Sequence, residues 1–270
     1  MRRLRVNDYD MAYIEVGQGR PLVCVHGSIG DFRTWSSVLG PLSRAHRVIA
    51  VSLRHFFPEQ WDGVGGRYTI AQHVSDVIAF VEALEAGPVD LMGHSRGGHI
   101  AFRVAQQRTE LVRRLVLAEP GGELDGSLQQ APPQTGSVPS RNSRVAAAAE
   151  KIAAGDIDGA LQQFIDNMGG AEAWARLSAS TKQEYRDNAR TLIGQVNEQR
   201  APFTRADAEA IRAPTLFIGG ADTPGTLPLV LRALASAVRG SKTVVISNAT
   251  HHMIRQDPVR TSAAVLEFLA

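Results

Sequence analysis

The chain has 270 residues, 44% of them hydrophobic and 21% charged, which suits a globular protein with a sizeable core and excludes a disordered or fibrous one. The formal net charge is +2, and the basic side chains are almost all arginine, scattered among acids without runs interleaved by aromatics, so no nucleic-acid partner is expected. A single cysteine, Cys24, excludes an intrachain disulfide and, inside the apolar run PLVCV, reads as a small buried side chain.

The N-terminal stretch MRRLRVNDYDMAYIEVG lacks the apolar region of a signal peptide, and no apolar stretch reaches membrane-spanning length. The expectation is a cytoplasmic protein with no membrane partner. MAYIEV alternates as a half-exposed strand, and PLVCV is a continuous apolar strand. TWSSVLGPLSR then reads as a short helix and HRVIAVSL as a strand. TIAQHVSDVIAFVEALEAG carries apolar residues at helical spacing, with a threonine N-cap and Gly87 closing it. VDLMG, GGHIAFRVAQQR and VRRLVLAEP follow as strand, helix and strand. The same alternation resumes in APTLFIGG, LPLVLRALASAV, KTVVISNA and DPVRTSAAVLEFL. Such a succession predicts right-handed crossovers and an α/β fold with a mostly parallel, twisted sheet flanked by helices.

Residues 121–212 break the pattern. GGELDGSLQQAPPQTGSVPSRNS is loop-like, and RVAAAAEKIAAG, DIDGALQQFIDNMGG and the stretch from AEAWARL to GQVNEQ read as helices with no strand among them. The expected organisation is a core of residues 1–120 and 213–270 carrying a helical insertion of residues 121–212.

Gly93-His94-Ser95-Arg96-Gly97 lies between a predicted strand and a predicted helix. A sharp reversal there forces the serine into an unfavourable backbone conformation, and the glycines let strand and helix pass closely. Its hydroxyl would stand at a helix N-terminus, where free N–H groups favour developing negative charge. Ser95 is therefore the expected nucleophile, and it needs a base. Among eight histidines, His251 and His252 follow the last strand in SNATHHMIRQDP, at the sheet edge where ligands of open parallel sheets sit. His251, at the apex of the short turn, is the expected base, with His252 its competitor. The orienting carboxylate is expected at Asp222, in LFIGGADTPGT, with Glu119 in LVLAEPGG the rival. The oxyanion hole would draw one N–H from Arg96 and one from the loop after LVCV, Ser28 or alternatively Ile29. No metal site and no cofactor are expected.

With these pieces in place the sequence resembles the α/β-hydrolase fold superfamily. The resemblance is carried by HGSIGDFRTW as the oxyanion loop, GHSRGG as the nucleophile elbow, GGAD as the acid loop, and NATHH with DP as the histidine loop. It implies that the insertion is a variable lid. It also implies a departure after RVIAVS, where many members continue Asp-x-Arg-Gly-x-Gly and this chain reads SLRHFFPEQW, keeping Arg54 alone. Arg54, His55, Phe57 and, in the insertion, Trp174 are accordingly possible substrate-binding residues, the alternatives being a structural cluster of His55, Phe56, Phe57 and Trp61 and plain helix packing of Phe164, Trp174 and Tyr185. A serine at the elbow argues against the aspartate chemistry of haloalkane dehalogenases and epoxide hydrolases.

The expected function is hydrolysis of a small ester, lactone or related acyl compound through an acyl-enzyme. Alternatives are carbon–carbon bond hydrolysis of aromatic ring-cleavage products, with Arg54 or Arg96 as the cation for an acidic substrate, and cofactor-free lyase, cyclase or oxygenase chemistry. A receptor on the same scaffold is the remaining one. The oligomeric state is not readable from the sequence.

Overall fold

Eight strands form one sheet in the order β1-β2-β4-β3-β5-β6-β7-β8, in a computed structural model that describes residues 1–129, 141–196 and 198–270. The strands are β1 (Arg2–Val6), β2 (Tyr9–Val16), β3 (Pro21–Val25), β4 (Arg47–Val51), β5 (Val89–His94), β6 (Val112–Ala118), β7 (Thr215–Gly220) and β8 (Lys242–Ile246). β1 pairs antiparallel with β2 and β2 with β4; every other pairing is parallel. β1 was not among the expected strands: its arginines face solvent and hide the period-two pattern. The fold is thus α/β, with the expected mostly parallel sheet.

The strand residues alternate between two apolar layers because successive side chains point to opposite faces. Val23, Val25, Ile49, Leu91, Leu115 and Phe217 pack on one face. There they meet α2 (Ile70–Ala83), α3 (Arg96–Gln107) and, beyond the insertion, a helix at Leu227–Ala237. Leu22, Cys24, Val48, Met92, Val116 and Ile218 pack on the other face, against α1 (Ser36–Ser43) and the C-terminal helices. α2 begins at the expected cap: Thr69 Oγ1 accepts the Gln72 N–H at 3.0 Å.

Between β6 and β7 come α4 (Arg141–Ala153), α5 (Ile157–Gly169), α6 (Ala179–Asn188), α7 (Thr191–Val196) and the short α8 (Arg205–Glu209). α4 to α7 build a third apolar cluster from Val145, Ile152, Leu161, Phe164, Trp174, Tyr185 and Leu192, which also takes in Ile29 from the loop after β3. Leu128, Phe203 and Ala208, nearer the ends of the insertion, pack instead with the sheet, and Leu124 bridges to Phe203. Part of the expected loop, residues 130–140, lies outside the described residues. α9 (Leu227–Ala237), α10 (Met253–Gln256) and α11 (Pro258–Leu269) complete the chain. The sheet reverses its winding at β3, which sits between β4 and β5, so the loops leaving β3 and β5 open a crevice at the carboxyl edge.

Candidate active site

Ser95 stands in that crevice, between β5 and α3, with φ 53° and ψ −119°. A positive φ on a serine costs on the order of 1–3 kcal/mol and persists only where its surroundings impose it. Here they do. The Ser95 N–H donates to Ala118 O at 3.0 Å, and Ser95 O accepts from the N–H groups of His99 (3.1 Å) and Gly121 (2.9 Å). A Cβ at Gly93 would strike the Gly97 carbonyl, and one at Gly97 would strike the carbonyls of Val25 and His26, so both glycines are required by close backbone approach.

His251 lies between β8 and α10, 1% exposed, and its Nδ1 bonds Glu119 Oε2 at 2.7 Å. Glu119 follows β6 directly and is fully buried, with a left-handed φ of 40°. Its other oxygen accepts from the Gly220 N–H at 2.9 Å and the Thr223 hydroxyl at 2.7 Å. The carboxylate that meets His251 is therefore Glu119 and not the expected Asp222. Asp222 is exposed in the loop after β7, where its N–H donates to Ala249 O at 2.9 Å. The turn at Glu119 swings its side chain across the end of β7, which neighbours β6 in the sheet. With Nδ1 carrying the proton toward Glu119, the lone pair of His251 is left on Nε2.

Two further histidines support the site: His26, for which its place beside Gly27 at the end of β3 suggests a structural or oxyanion-loop role from sequence, and His94, for which the sequence suggests none. The Leu53 N–H donates to His26 Nε2 at 3.0 Å, so the proton of the neutral ring is on Nδ1, which donates to Gly27 O at 2.8 Å. Burial lowers the pKa of His26 to about 4, so the ring stays neutral and pins the start of the Gly27-Ser28-Ile29 loop. His94 Nε2 donates to the His251 carbonyl at 2.9 Å, and its ring lies 4.6 Å from that of His251. Burial, with the neighbouring His251 ring second, holds His94 well below the ordinary histidine range. In sequence, His94 shows only as a neighbour of the serine.

Ser28, Ser95 and His251 line one pocket of about 470 Å³, part of it open to solvent. Its apolar wall includes Ile29, Ile165, Met168, Tyr185 and Ile254, and its polar wall Thr34, His252 and Arg255. His252 is thus beside the site without being the partner of Glu119. Burial lowers its pKa to about 3.

The four expected substrate contacts lie elsewhere. Arg54 is held by Asp76 (2.8 Å) and Asp8 (2.7 Å). His55 bonds Glu59 at 2.9 Å and stacks on Trp61 at 4.3 Å. Phe57 packs on Phe32 under the Arg33 guanidinium. Trp174 is buried in the apolar cluster of the helical insertion. The SLRHFFPEQW segment is thus an aromatic and ionic knot tied to its surroundings at Asp8, Asp76 and Asn188. Arg96, the other expected cation, is 1% exposed and bonded to Glu198; among the described residues Arg255 is the arginine in the pocket wall.

Among the described residues, no group of three or more His, Cys, Asp or Glu side chains is placed to hold a metal ion, and no helix is long and apolar enough to cross a membrane.

A serine on a strained strand–helix turn beside a buried imidazole–carboxylate pair, on this sheet, defines a class of fold. A family model described as alpha/beta hydrolase family matches residues 22–264, and the chain belongs to that family. It is 24% identical, over 97% of its length and 95% of the other's, to (E)-2-((N-methylformamido)methylene)succinate hydrolase of Acinetobacter baylyi. It is also 37% identical to 2-hydroxy-6-oxo-2,4-heptadienoate hydrolase of Pseudomonas putida, over 107 residues that make up 38% of each chain. Among solved structures it resembles the enol-lactonase from Burkholderia xenovorans LB400, with a TM-score of 0.80, 19% identity and 99% of both chains covered.

Proposed function

We propose that the protein is a serine hydrolase of small esters or lactones, working through an acyl-enzyme with Ser95 as nucleophile, His251 as base and Glu119 as the carboxylate that orients it. The observation that carries this reading is the 2.7 Å bond from His251 Nδ1 to Glu119 Oε2, buried at the pocket that Ser95 also lines. Ser95 Oγ attacks the substrate carbonyl as its proton passes to His251 Nε2, and the imidazolium is stabilised by Glu119. The backbone N–H groups of Arg96 and Ser28 take the oxyanion, in line with the helix N-terminus at Arg96. Collapse breaks the carbon–oxygen bond, and the leaving alkoxide takes the proton from His251. A water molecule then loses a proton to His251 while attacking the acyl carbon, and its second collapse frees the acid and returns the proton to Ser95 Oγ. The narrow, largely apolar pocket favours a short acyl group, and the likeness to an enol-lactonase supports the ester and lactone class.

The test is covalent labelling by a fluorophosphonate together with turnover of a short-chain aryl ester. Ser95→Ala is expected to abolish labelling and lower kcat by several orders of magnitude at unchanged Tm, on the order of the 10⁴–10⁶ seen when a triad member is lost. An active Ser95→Ala protein would overturn the assignment.

A second reading, hydrolysis of a carbon–carbon bond in an acidic ring-cleavage product, is favoured by one observation. Arg255 faces the pocket with Nη2 on Glu184 (2.7 Å to each oxygen), while its Nη1 reaches Thr181 Oγ1 at a long 3.4 Å. Turnover of dienoic acids that exceeds that of esters and collapses in Arg255→Leu selects this reading; ester turnover indifferent to Arg255→Leu rejects it.

A further inference from the structure

Both residues assigned to the oxyanion hole act through backbone N–H groups, so their side chains are available for other work. Those side chains end at the last turn of α7 and just beyond it, where the insertion returns to the core. The Ser28 hydroxyl donates to Gln195 Oε1 at 3.0 Å. The Arg96 guanidinium grips Glu198 in a fork, Nη1 to Oε2 at 2.5 Å and Nη2 to Oε1 at 2.6 Å. Arg200 joins the two arms, donating from Nε to Glu198 Oε2 at 2.8 Å and from Nη2 to Gln195 Oε1 at 3.4 Å. Gln195, Glu198 and Arg96 are 2%, 5% and 1% exposed, so the centre of the network is buried. Burial pushes the Glu198 carboxyl up, but Arg96 and Arg200 outweigh it and bring it down to about 2. The same loop is tied to the lid a second time. Ile29, held at a left-handed φ of 53° that a β-branched residue resists, inserts its side chain into the lid cluster.

We infer that Gln195 and Glu198 are positioning residues which, through Ser28 and Arg96, set the two N–H donors of the oxyanion hole and make that hole depend on the seated lid. This rests on the Ser95 reading above. A buried carboxylate between two guanidiniums is a costly way to fill a core, since well-packed apolar residues do so at least as stably. Its geometric return is a rigid bidentate fork on the residue that follows the nucleophile. Oxyanion donors must lie 2.7–3.1 Å from an oxygen that exists only in the transition state, so small displacements of Ser28 or Arg96 act on kcat rather than on substrate binding.

The experiment compares Gln195→Met, Ser28→Ala and Glu198→Gln with wild type on an aryl ester and its thionoester, and measures inhibition by a trifluoromethyl ketone of the same acyl length. Sulfur accepts hydrogen bonds poorly, so the oxygen-to-sulfur rate ratio reports the hole itself. Each variant is expected to lose about 10-fold in ester kcat with KM within about 2-fold, a fraction of the 10²–10³ lost when a donor is deleted. The oxygen-to-sulfur ratio and the affinity for the ketone should fall in parallel. Because Ser28→Ala and Gln195→Met break the same bond, and Gln195→Met also removes the Arg200 contact, their double variant should be no worse than Gln195→Met alone. Variants with wild-type circular dichroism and an unchanged ratio would show these residues to be structural only. If Glu198→Gln fails to fold, Gln195→Met and Ser28→Ala still read the other arm. Absence of fluorophosphonate labelling in wild type would instead refute the Ser95 reading; labelled wild type with unaltered ratios refutes the positioning role alone.

Discussion

In the proposed mechanism Glu119 is the carboxylate that orients the base. Three donors converge on its carboxylate, from His251, Gly220 and Thr223, and together they hold the imidazole with its lone pair on Nε2. Glu119→Gln keeps the shape but can present an N–H to His251 and favour the wrong tautomer. It is expected to lower kcat/KM on an aryl ester by about 10²–10⁴, while Asp222→Asn stays within about 2-fold of wild type. The reverse ranking in the same assay would return the role to Asp222. In the sequence both acids follow an apolar strand and precede a glycine-bearing loop. Their difference lies in a left-handed turn at Glu119 and in which strand neighbours β6, and neither has a signature along the chain.

The elbow shows at the level of elements why glycine spacing was readable. α3 passes so close to the end of β3 that a Cβ at Gly97 would meet the backbone carbonyls of Val25 and His26, and backbone cannot step aside as a side chain can. Gly97→Ala is expected to destabilise by about 3 kcal/mol or more or to prevent folding, as overpacking against a backbone does. Gly40, inside α1 with open space around it, is the contrast. Gly40→Ala is expected to leave stability unchanged or raise it by about 0.5–1 kcal/mol. Urea denaturation of the two variants reads both, and equal effects would refute this account of the elbow. The insertion behaves differently. Its helices were expected from periodicity, but the same pattern could not say whether Phe164, Trp174 and Tyr185 face a ligand or one another. Packing settles that: all three join the lid cluster, and Tyr185 also reaches the pocket.

Across the whole molecule, His26, His73, His94, His99 and His252 are all buried, and burial is the first cause lowering each of their pKa values. The unfolded chain takes up protons near pH 6.5 while the folded one does not, so ν_U exceeds ν_N and stability rises with pH through this window. Stability is accordingly full above about pH 6.5 and declines as pH falls toward 4, with His26 alone contributing on the order of 3 kcal/mol of loss by pH 4. Tm measured from pH 7.5 down to 4.5 is expected to fall steadily. The drop should be smaller in His26→Asn, whose Asn side chain no longer titrates; a flat profile in wild type would contradict it. Glu198, with its carboxyl held near 2, adds stability above about pH 4.5 that is lost only at still lower pH.

The strand–helix alternation, the parallel sheet with its helical insertion, the elbow at Ser95 and the loop that carries His251 are legible along the chain. Each of these is written in local signals: period two against period 3.6, glycines two residues either side of a serine, a histidine just past a strand. What depends on which strands become neighbours, and on which buried charges find each other, emerges only in the folded chain. That is why Glu119 rather than Asp222 meets His251, why Arg54 and His55 are spent in a knot outside the pocket, and why Arg255 stands in its wall. The fold also gave the Arg96 side chain a partner 102 residues away. Pairings across such distances are chosen by the free-energy cost of leaving a charge unpaired in the interior, and that cost arises only once the chain has folded around it.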